Sequence, residues 1–188
     1  MQPGIDAVRT QDFASPPLKP EGWYIRYRMK RIYLETSIFG YLTARPTRDL
    51  TAAAMQEWTQ EWWDLRAGQA LFSSELVSQE ASAGDPEAAS RRVLALEGIP
   101  FLAISDEAIA FAHRIRQELK LSEKSGADCL HMAIATVHKC DVLLTWNCKH
   151  IANAVLRPRF DTLCRLHGWE PPLLCTPAQL LEWETPDD

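Results

Sequence analysis

Acidic and polar side chains follow two apolar runs of the chain, at points where a parallel sheet would bring them to one edge. Glu35 comes directly after the run that ends at Leu34, and the polar stretch 145–150 follows a second apolar run. A carboxylate such as Glu35 is costly to bury without a partner. Two interpretations are open: it stabilises the N-terminus of the following helix, with Ser37 as the cap, or it is a metal ligand.

Two further acids lie on predicted helices. Asp128 has the capping-box spacing from Ser125, and it also lies, with His131, beside the buried stripe expected on its helix. An acid at this border between the core and the surface can be held by its neighbours and still be exposed enough for catalysis. Glu80 lies on a short helix after the second strand, where a solvated acid is the ordinary alternative. Asp141 opens the fourth strand, ~16 Å from its carboxyl end at ~3.3 Å per residue, and we expect it to be a turn residue.

Strands and helices alternate along the chain, and they must position these acids. Apolar runs predict strands at 31–34, 70–72, 101–104, 141–146 and near 173. Helical periodicity and capping residues predict helices at 38–44, 50–66, 75–81, 86–97, 106–119, 126–138 and 160–167, with a last one from 177. This alternation implies a mostly parallel sheet covered on both faces, in which ligands bind at the carboxyl ends of the strands.

The composition is that of an ordinary globular protein. The 188 residues are 46% hydrophobic and 24% charged, which suggests one domain and excludes disorder over the whole length. No apolar stretch approaches the ~18 residues of a membrane-spanning helix, and the N-terminus lacks the features of a signal peptide. The five cysteines are odd in number and form no C-x-x-C motif, which favours a reducing, cytoplasmic location.

The N-terminal region differs from the rest of the chain. Residues 1–28 contain scattered prolines and no hydrophobic period, so we expect a flexible extension ahead of a domain that spans residues 29–184. The net charge is -5, yet the segment 24–48 carries six basic residues and one acid. Such a segment can contact an anion locally, or it can be a solvated surface of arginines.

Four stretches of the sequence resemble, in order, the four motifs of PIN domains. They are YLETS at 33–37, SELVSQE at 74–80, ADCLHMA at 127–133 and LLTWN at 143–147. The closing stretch TPAQLL at 176–181 is similar to the C-terminal segment of the family. The resemblance covers roughly residues 29–183, and it is nearest to the VapC-like toxins of prokaryotic type II toxin–antitoxin systems.

This resemblance implies both a fold and an activity. The fold is α/β, a three-layer α/β/α sandwich with a mostly parallel sheet of about five strands. The activity is that of an endoribonuclease that uses Mg²⁺ or Mn²⁺ to activate a water for attack on an RNA phosphodiester. Thr36 and Thr145 are then hydroxyls that orient a ligand or the water, and Asn147 stands where the family usually has its fourth acid. By motif position, the metal-binding acids are Glu35, Glu80 and Asp128.

Two positions depart from the family pattern. The first acid is usually Asp, and here Glu35 keeps the carboxylate with one more methylene. At the fourth position, the amide of Asn147 can touch a metal but brings no charge. Three carboxylates should hold a second cation less well than four. We therefore expect one tightly held metal, and a second that arrives only with the RNA phosphate.

The family also implies macromolecular partners: an RNA substrate, a small antitoxin whose C-terminal peptide fills the groove, and a second copy in a homodimer, with no membrane. Trp146 could stack on a base, although a tryptophan after a buried strand more often packs in the core. On the helix at 50–66, Trp58 and Trp62 are expected in the core, and Trp63 is the better candidate for an interface. Residues predicted to contact RNA phosphates near the rim are Arg45, Arg48, Lys149 and His150.

Three other functions stay open. A PIN-fold module with weakened catalysis would bind RNA or a partner protein without cleavage, and Asn147 is one step in that direction. Cys148 and His150 could form a cysteine-nucleophile hydrolase, although no oxyanion loop is evident. His131 and His138 could bind zinc, although no thiolate pair completes such a site.

Overall fold

The computed structural model describes residues 30–184. The expected extension at 1–28, with Arg26 and Arg28 of the basic segment, lies outside these residues. The strands are β1 (Arg31–Leu34), β2 (Ala70–Ser74), β3 (Phe101–Leu102), β4 (Val142–Leu144) and β5 (Leu173–Cys175). The α-helices are α1 (Thr36–Thr43), α2 (Leu50–Leu65), α3 (Glu75–Ala81), α4 (Pro86–Leu96), α5 (Asp106–Glu118), α6 (Gly126–Val137), α7 (Arg157–Leu166) and α8 (Pro177–Glu184).

All five strands run parallel, in the order β3-β2-β1-β4-β5. The chain extends the sheet from β1 through β2 to β3, and then returns to add β4 and β5 on the other side of β1. The strand order therefore reverses between β1 and β4, where Leu34 pairs with Leu144. In open parallel sheets, the ligand crevice lies at the carboxyl ends of the strands at such a point. The residues directly after Leu34 and Leu144 belong to this crevice.

Helices cover both faces of the sheet. Because crossovers are right-handed, reversing the direction of strand addition moves the connecting helices to the opposite face. Accordingly, α1 packs with α2, α3 and α4, and α2 also packs with α8, whereas α5 packs with α6 and α7. The predicted α/β sandwich with a five-stranded parallel sheet is confirmed. Among residues 30–184, no helix has the length and apolar character needed to span a bilayer.

The two central strands are buried on both faces, as parallel strands between helix layers are. Residues 32–34 and 142–144 are at most 1% exposed. The ladder continues past β1, because the backbone N–H of Glu35 donates to the carbonyl oxygen of Leu144 at 3.1 Å. The backbone N–H of Thr145 donates to the carbonyl oxygen of Cys175 at 3.0 Å. Both polar residues at the strand ends are thus fixed by the sheet itself.

The predicted elements differ from the observed ones mainly at their ends. The first helix begins at Thr36 rather than at 38, and α7 begins at Arg157 rather than at 160. β4 spans 142–144 rather than the predicted 141–146, although the backbone N–H of Thr145 still donates to the carbonyl oxygen of Cys175. Asp141 lies at the amino end of β4, where its Oδ2 accepts a hydrogen bond from the backbone of Arg31 at 2.7 Å.

The tryptophans of α2 are arranged differently from the prediction. Trp62 is buried as expected, but Trp58 is 42% exposed. Trp63 is half-buried and packs edge-on against Phe39, so it is not the most exposed of the three. The buried face of α2 includes Thr59, whose hydroxyl accepts a hydrogen bond from the indole N–H of Trp146.

Candidate metal centre

Glu35 ends β1 and caps α1. Its Oε2 accepts hydrogen bonds from the backbone N–H of Ser37 at 3.1 Å and from Thr145 Oγ1 at 2.7 Å, and the Ser37 hydroxyl also donates to it. Glu35 is only 7% exposed, so these donors compensate a buried charge. The cap predicted for Ser37 is provided by Glu35 itself. Within the described residues, its hydrogen bonds go to Oε2, which leaves Oε1 for a further ligand.

Glu80 lies on α3 and is half-buried. Its Oε2 accepts a hydrogen bond from Thr36 Oγ1 and lies 3.1 Å from His131 Nε2. Burial opposes ionisation of this carboxyl, but the hydrogen bond and charge of His131 and the hydrogen bond from Thr36 outweigh it. The pKa of Glu80 therefore lies below its ordinary value. Glu80 is an ionised carboxylate with fixed partners, not a freely solvated helix acid.

His131 lies on α6 and is 1% exposed. Its Nδ1 lies 2.9 Å from the hydroxyl of Tyr33, and this hydroxyl lies 2.7 Å from Ser74 Oγ. Burial raises the pKa of Tyr33 well above its ordinary value, and the nearby charges of Glu35 and Glu80 raise it further. Tyr33 is therefore a neutral phenol, and the His131 ring is held between this phenol and the carboxylate of Glu80.

Glu35, Glu80 and His131 form a compact group of possible metal ligands. One ligand atom from each lies within 4.8 Å of the others, and no other three His, Cys, Asp or Glu side chains in residues 30–184 are so arranged. Carboxylate oxygens suit Mg²⁺ and Mn²⁺, and imidazole suits transition metals. The donor set therefore fits a divalent cation of the kind that the PIN resemblance implies.

Asp128 lies in the first turn of α6, with both carboxylate oxygens engaged. Its Oδ1 accepts a hydrogen bond from Asn147 Nδ2 at 2.7 Å, and its Oδ2 lies 2.7 Å from His150 Nδ1. The side chain of Ser125 does not cap α6. The capping-box interpretation of Asp128 is therefore wrong, because the carboxylate turns toward the residues that follow β4. Asp128 is not a member of the compact group around Glu35.

The hydroxyl of Thr145 connects the two parts of the site. Thr145 Oγ1 donates to Glu35 Oε2 and accepts from the backbone N–H of Asn147 at 2.9 Å. Asn147 in turn donates to Asp128. A continuous path of hydrogen bonds thus runs from Glu35 through Thr145 and Asn147 to Asp128. Of the predicted site acids and hydroxyls, Glu35, Thr145 and Asp128 belong to this path. Glu80 and Thr36 lie outside it and are hydrogen-bonded to each other.

The four residues predicted to bind RNA have different surroundings. Arg45 Nη2 lies 2.6 Å from both carboxylate oxygens of Glu87, so its charge is compensated. His150 is half-buried against Asp128. Arg48 and Lys149 are exposed. Of the four, Arg48 and Lys149 are thus the cations best placed to contact an external anion.

Trp146 packs as a core-edge residue. Its ring stacks on Trp58, with centroids 6.1 Å apart, and meets Tyr41 edge-on at 5.9 Å. Its indole N–H donates to Thr59 Oγ1 at 2.8 Å, and its backbone N–H donates to Ser37 Oγ at 2.8 Å. These contacts favour core packing over base stacking as the role of Trp146.

The two minor alternatives lack the contacts that they require. Cys148 is exposed, and the nearby His150 directs Nδ1 to Asp128. His138 Nε2 lies 2.8 Å from the carbonyl oxygen of Ala103, whereas His131 Nε2 faces Glu80. The structure therefore gives neither a thiol–imidazole pair with Cys148 nor a two-histidine zinc site.

Comparison with known proteins supports the fold. No protein-family model and no curated protein matches the sequence. Among solved structures, the chain is similar to VapBC2 from Rickettsia felis, determined bound to a DNA fragment from their promoter, with a TM-score of 0.50 and 15% sequence identity. The match covers 78% of this chain and 98% of that chain. At this identity the likeness shows the fold alone, which is that of a PIN-like α/β domain.

Proposed function

We propose that this protein is a metal-dependent endoribonuclease of the PIN type, and that it is the toxin of a type II toxin–antitoxin pair. The observation that carries the proposal is the group formed by Glu35, Glu80 and His131, whose ligand atoms lie within 4.8 Å of one another. It lies at the carboxyl ends of parallel strands, next to the point where the strand order reverses. Such an edge is where α/β proteins bind ligands.

Glu35 and Glu80 are the ligands that would hold Mg²⁺ or Mn²⁺, with Asp128 as a third acid on the same edge. A bound divalent cation supplies an activated water for attack on a phosphodiester and offsets the charge that develops there. The protein contributes three carboxylates and one amide, that of Asn147, to the proposed site. Because a fourth negative charge is missing, we propose one tightly bound cation and a second that depends on the RNA phosphate.

The hydroxyls of the site hold these carboxylates in place. Thr145 and Ser37 donate to Glu35, and Thr36 donates to Glu80. The hydrogen bond from Thr36 lowers the pKa of Glu80 and so stabilises its ionised form. The two threonines therefore orient ligands in this proposal, as the PIN resemblance implies for them. A site preorganised in this way loses little freedom when a cation and a phosphate bind.

The substrate would be held by sequence-independent contacts to its phosphates. Arg48 and Lys149 are exposed cations. Arg48 follows α1, and Lys149 follows β4, directly before the His150 that contacts Asp128. His150 is hydrogen-bonded to Asp128, so in this proposal it positions that carboxylate and is not a free cation for the RNA. Binding of this kind weakens as salt rises.

The proposed partners follow from the likeness to VapBC2 and from the PIN resemblance. The structure of VapBC2 was determined bound to promoter DNA. For this chain we propose a small antitoxin that occupies the groove over the acids, a homodimer, and a location in the cytoplasm. Copurification of a small protein encoded beside it, which blocks cleavage when added back, would support the toxin assignment.

The test of the nuclease is cleavage of a mixed RNA pool by purified protein in Mn²⁺ and in EDTA. Glu80→Gln and Asp128→Asn should each reduce cleavage by about 100-fold or more, since each removes a charge at the reacting edge. Glu75→Gln is the matched control, because Glu75 is exposed on the same helix as Glu80. Cleavage that persists in EDTA, or that survives both site variants, would contradict the proposal.

A second function is favoured by one observation. Both oxygens of Asp128 already have protein partners, Asn147 and His150. A domain whose acids are satisfied in this way could bind RNA or a partner protein without cleaving it. Folded protein that binds RNA and cleaves nothing in Mn²⁺ or Mg²⁺ would favour this binding module over the nuclease.

A further inference from the structure

We propose that His131 is a nitrogen ligand of the cation, and that the site therefore prefers Mn²⁺ and related transition-metal ions to Mg²⁺. This inference rests on the proposed metal site and specifies its chemistry. Sites made only of carboxylates and water suit Mg²⁺, whereas an imidazole among the ligands shifts the preference toward transition metals. The three ligands here are two carboxylates and one imidazole.

The position of the His131 ring supports direct ligation. Nε2 lies 3.1 Å from Glu80 Oε2, and a ring nitrogen of His131 lies within 4.8 Å of a carboxylate oxygen of both Glu35 and Glu80. At 1% exposure the ring has no access to bulk solvent. Because Nδ1 contacts the Tyr33 hydroxyl, Nε2 is the nitrogen that faces the carboxylate of Glu80, where a cation would be held.

Tyr33 fixes which nitrogen faces the acids. Its hydroxyl lies 2.9 Å from Nδ1 and 2.7 Å from Ser74 Oγ. When Nδ1 carries the proton, it donates to the Tyr33 oxygen, and the Tyr33 hydroxyl donates to Ser74. With a cation bound, the cation would replace the Nε2 proton, and the Nε2 lone pair would be directed at it. Without the cation, Nε2–H donates to Glu80 Oε2, which is a hydrogen bond that lowers the pKa of Glu80. Metal-ligating histidines commonly donate their other N–H to such a fixed oxygen, which sets the tautomer and the ring orientation.

The same contacts also fit a different role for His131. In that role Nε2–H donates to Glu80 Oε2, Nδ1 accepts from the Tyr33 hydroxyl, and the imidazole only positions the carboxylate. Loss of His131 would weaken metal binding in either case. The two roles differ in one measurable respect, namely whether nitrogen is bound directly to the cation.

Pulsed electron paramagnetic resonance of Mn²⁺ makes this distinction without any activity assay. Metal-free full-length protein is loaded with less than one equivalent of Mn²⁺, and the ¹⁴N modulation of the electron spin echo is recorded. We expect the modulation of a directly bound imidazole, and we expect it to change when the histidines are labelled with ¹⁵N. His150→Gln should retain the signal, because His150 is the other imidazole near the acids.

His131→Gln should abolish the ¹⁴N modulation and weaken Mn²⁺ binding by about tenfold or more. In the unmodified protein, Mg²⁺ should displace bound Mn²⁺ only at about tenfold or greater excess, and this excess should shrink in the variant. If His131→Gln does not fold, the unmodified and His150→Gln proteins still decide the point. Bound Mn²⁺ with no nitrogen modulation, a signal lost in His150→Gln, or no Mn²⁺ binding at all would overturn the inference.

The outcomes separate this inference from the proposed nuclease. Nitrogen-bound Mn²⁺ in a protein that cleaves no RNA would support the ligand assignment and contradict the nuclease. Metal-dependent cleavage with an oxygen-only Mn²⁺ signal would support the nuclease and assign His131 the positioning role.

Discussion

The side-chain amide of Asn147 donates from Nδ2 to Oδ1 of Asp128 at 2.7 Å. The other end of the amide is also used, since Asn147 Oδ1 accepts from the backbone N–H of His150 at 3.1 Å. An aspartate at this position would place a second carboxylate against Asp128 with no proton to share at neutral pH. Asn147 is therefore complementary to its surroundings, because its amide is hydrogen-bonded both to Asp128 and to the backbone of His150.

Asn147→Asp should destabilise the metal-free protein. Replacing a hydrogen bond by two facing carboxylates is expected to cost about 1–2 kcal/mol of unfolding free energy in EDTA at pH 7. Mn²⁺ should recover part of this loss, because two adjacent carboxylates form a better cation site. Thermal unfolding of both proteins, with and without Mn²⁺, measures the effect.

Asn153→Asp is the control for this prediction. It adds the same charge in the same segment, but Asn153 contacts the backbone of Val155 and Lys149 rather than an acid. An Asn147→Asp protein that is as stable as the original in EDTA, and that responds to Mn²⁺ no more strongly, would show that the Asp128 contact is unimportant.

Thr145→Val should disturb both halves of the site. The Thr145 hydroxyl donates to Glu35 and accepts from the backbone of Asn147, and Thr145 is fully buried. Removing it leaves a buried carboxylate one donor short, so we expect a loss of about 1–3 kcal/mol in unfolding free energy. Urea unfolding measures this loss. Thr145→Ser keeps the hydroxyl and should retain most of the stability, and equal losses in Ser and Val variants would mean that packing of the methyl group is what matters.

The order of strands and helices and the place of two acids followed from the sequence alone. Glu35 comes directly after an apolar run, and a parallel sheet fixes which edge such a residue occupies. Glu80 and Thr145 could be placed by the PIN motifs. These predictions depend on the local hydrophobic pattern and on strand direction, both of which can be inferred from the sequence.

His131 could not be assigned in the same way. Its spacing on α6 placed it beside the expected buried stripe, and only the packing of α6 against Tyr33 of β1 shows that its ring is buried and faces Glu80. The carboxylate of Asp128 was equally ambiguous, because its partners Asn147 and His150 lie about 20 residues further along the chain. The sequence shows only that His131 lies three residues after Asp128. This spacing does not indicate that the ring contacts Tyr33 and Glu80.

The stability provided by Glu80 should depend on pH in a defined direction. Its folded-state pKa lies below the ordinary value of 4.5, so the ionised form is the one that the fold stabilises. That contribution is fully present above pH 4.5 and is lost as the pH falls through the lower folded-state pKa. In EDTA, Glu80→Gln should therefore be less stable than the original at pH 7, and the difference should shrink below pH 4.5. A difference that grows toward acid pH, relative to Glu75→Gln, would contradict this.

Only one of the five thiols should react rapidly in the folded protein. Burial raises the pKa of Cys129 to about 11 and the pKa of Cys140 and Cys164 to about 12, and Cys175 is buried as well. Cys148 is exposed, and thiolates rather than thiols react. Titration with a chromogenic disulfide at pH 8 should show one fast equivalent, which Cys148→Ser removes. Metal-dependent cleavage should be unchanged in Cys148→Ser. Loss of cleavage in this variant would instead support the cysteine-nucleophile hydrolase.

Binding of RNA should depend on salt through Arg48 and Lys149. In a Glu35→Gln background that prevents cleavage, changing both residues to Gln should reduce the slope of log affinity against log salt by about 1.4, at ~0.7 for each single-strand phosphate contact. Lys139 and Arg165 provide the matched control, because both are exposed cations at or after helix C-termini, away from the acids. Changing these two to Gln alters the net charge equally, so a long-range charge effect would reduce the slope in both double variants. A reduction confined to the Arg48 and Lys149 variant would instead locate phosphate contacts at these two residues.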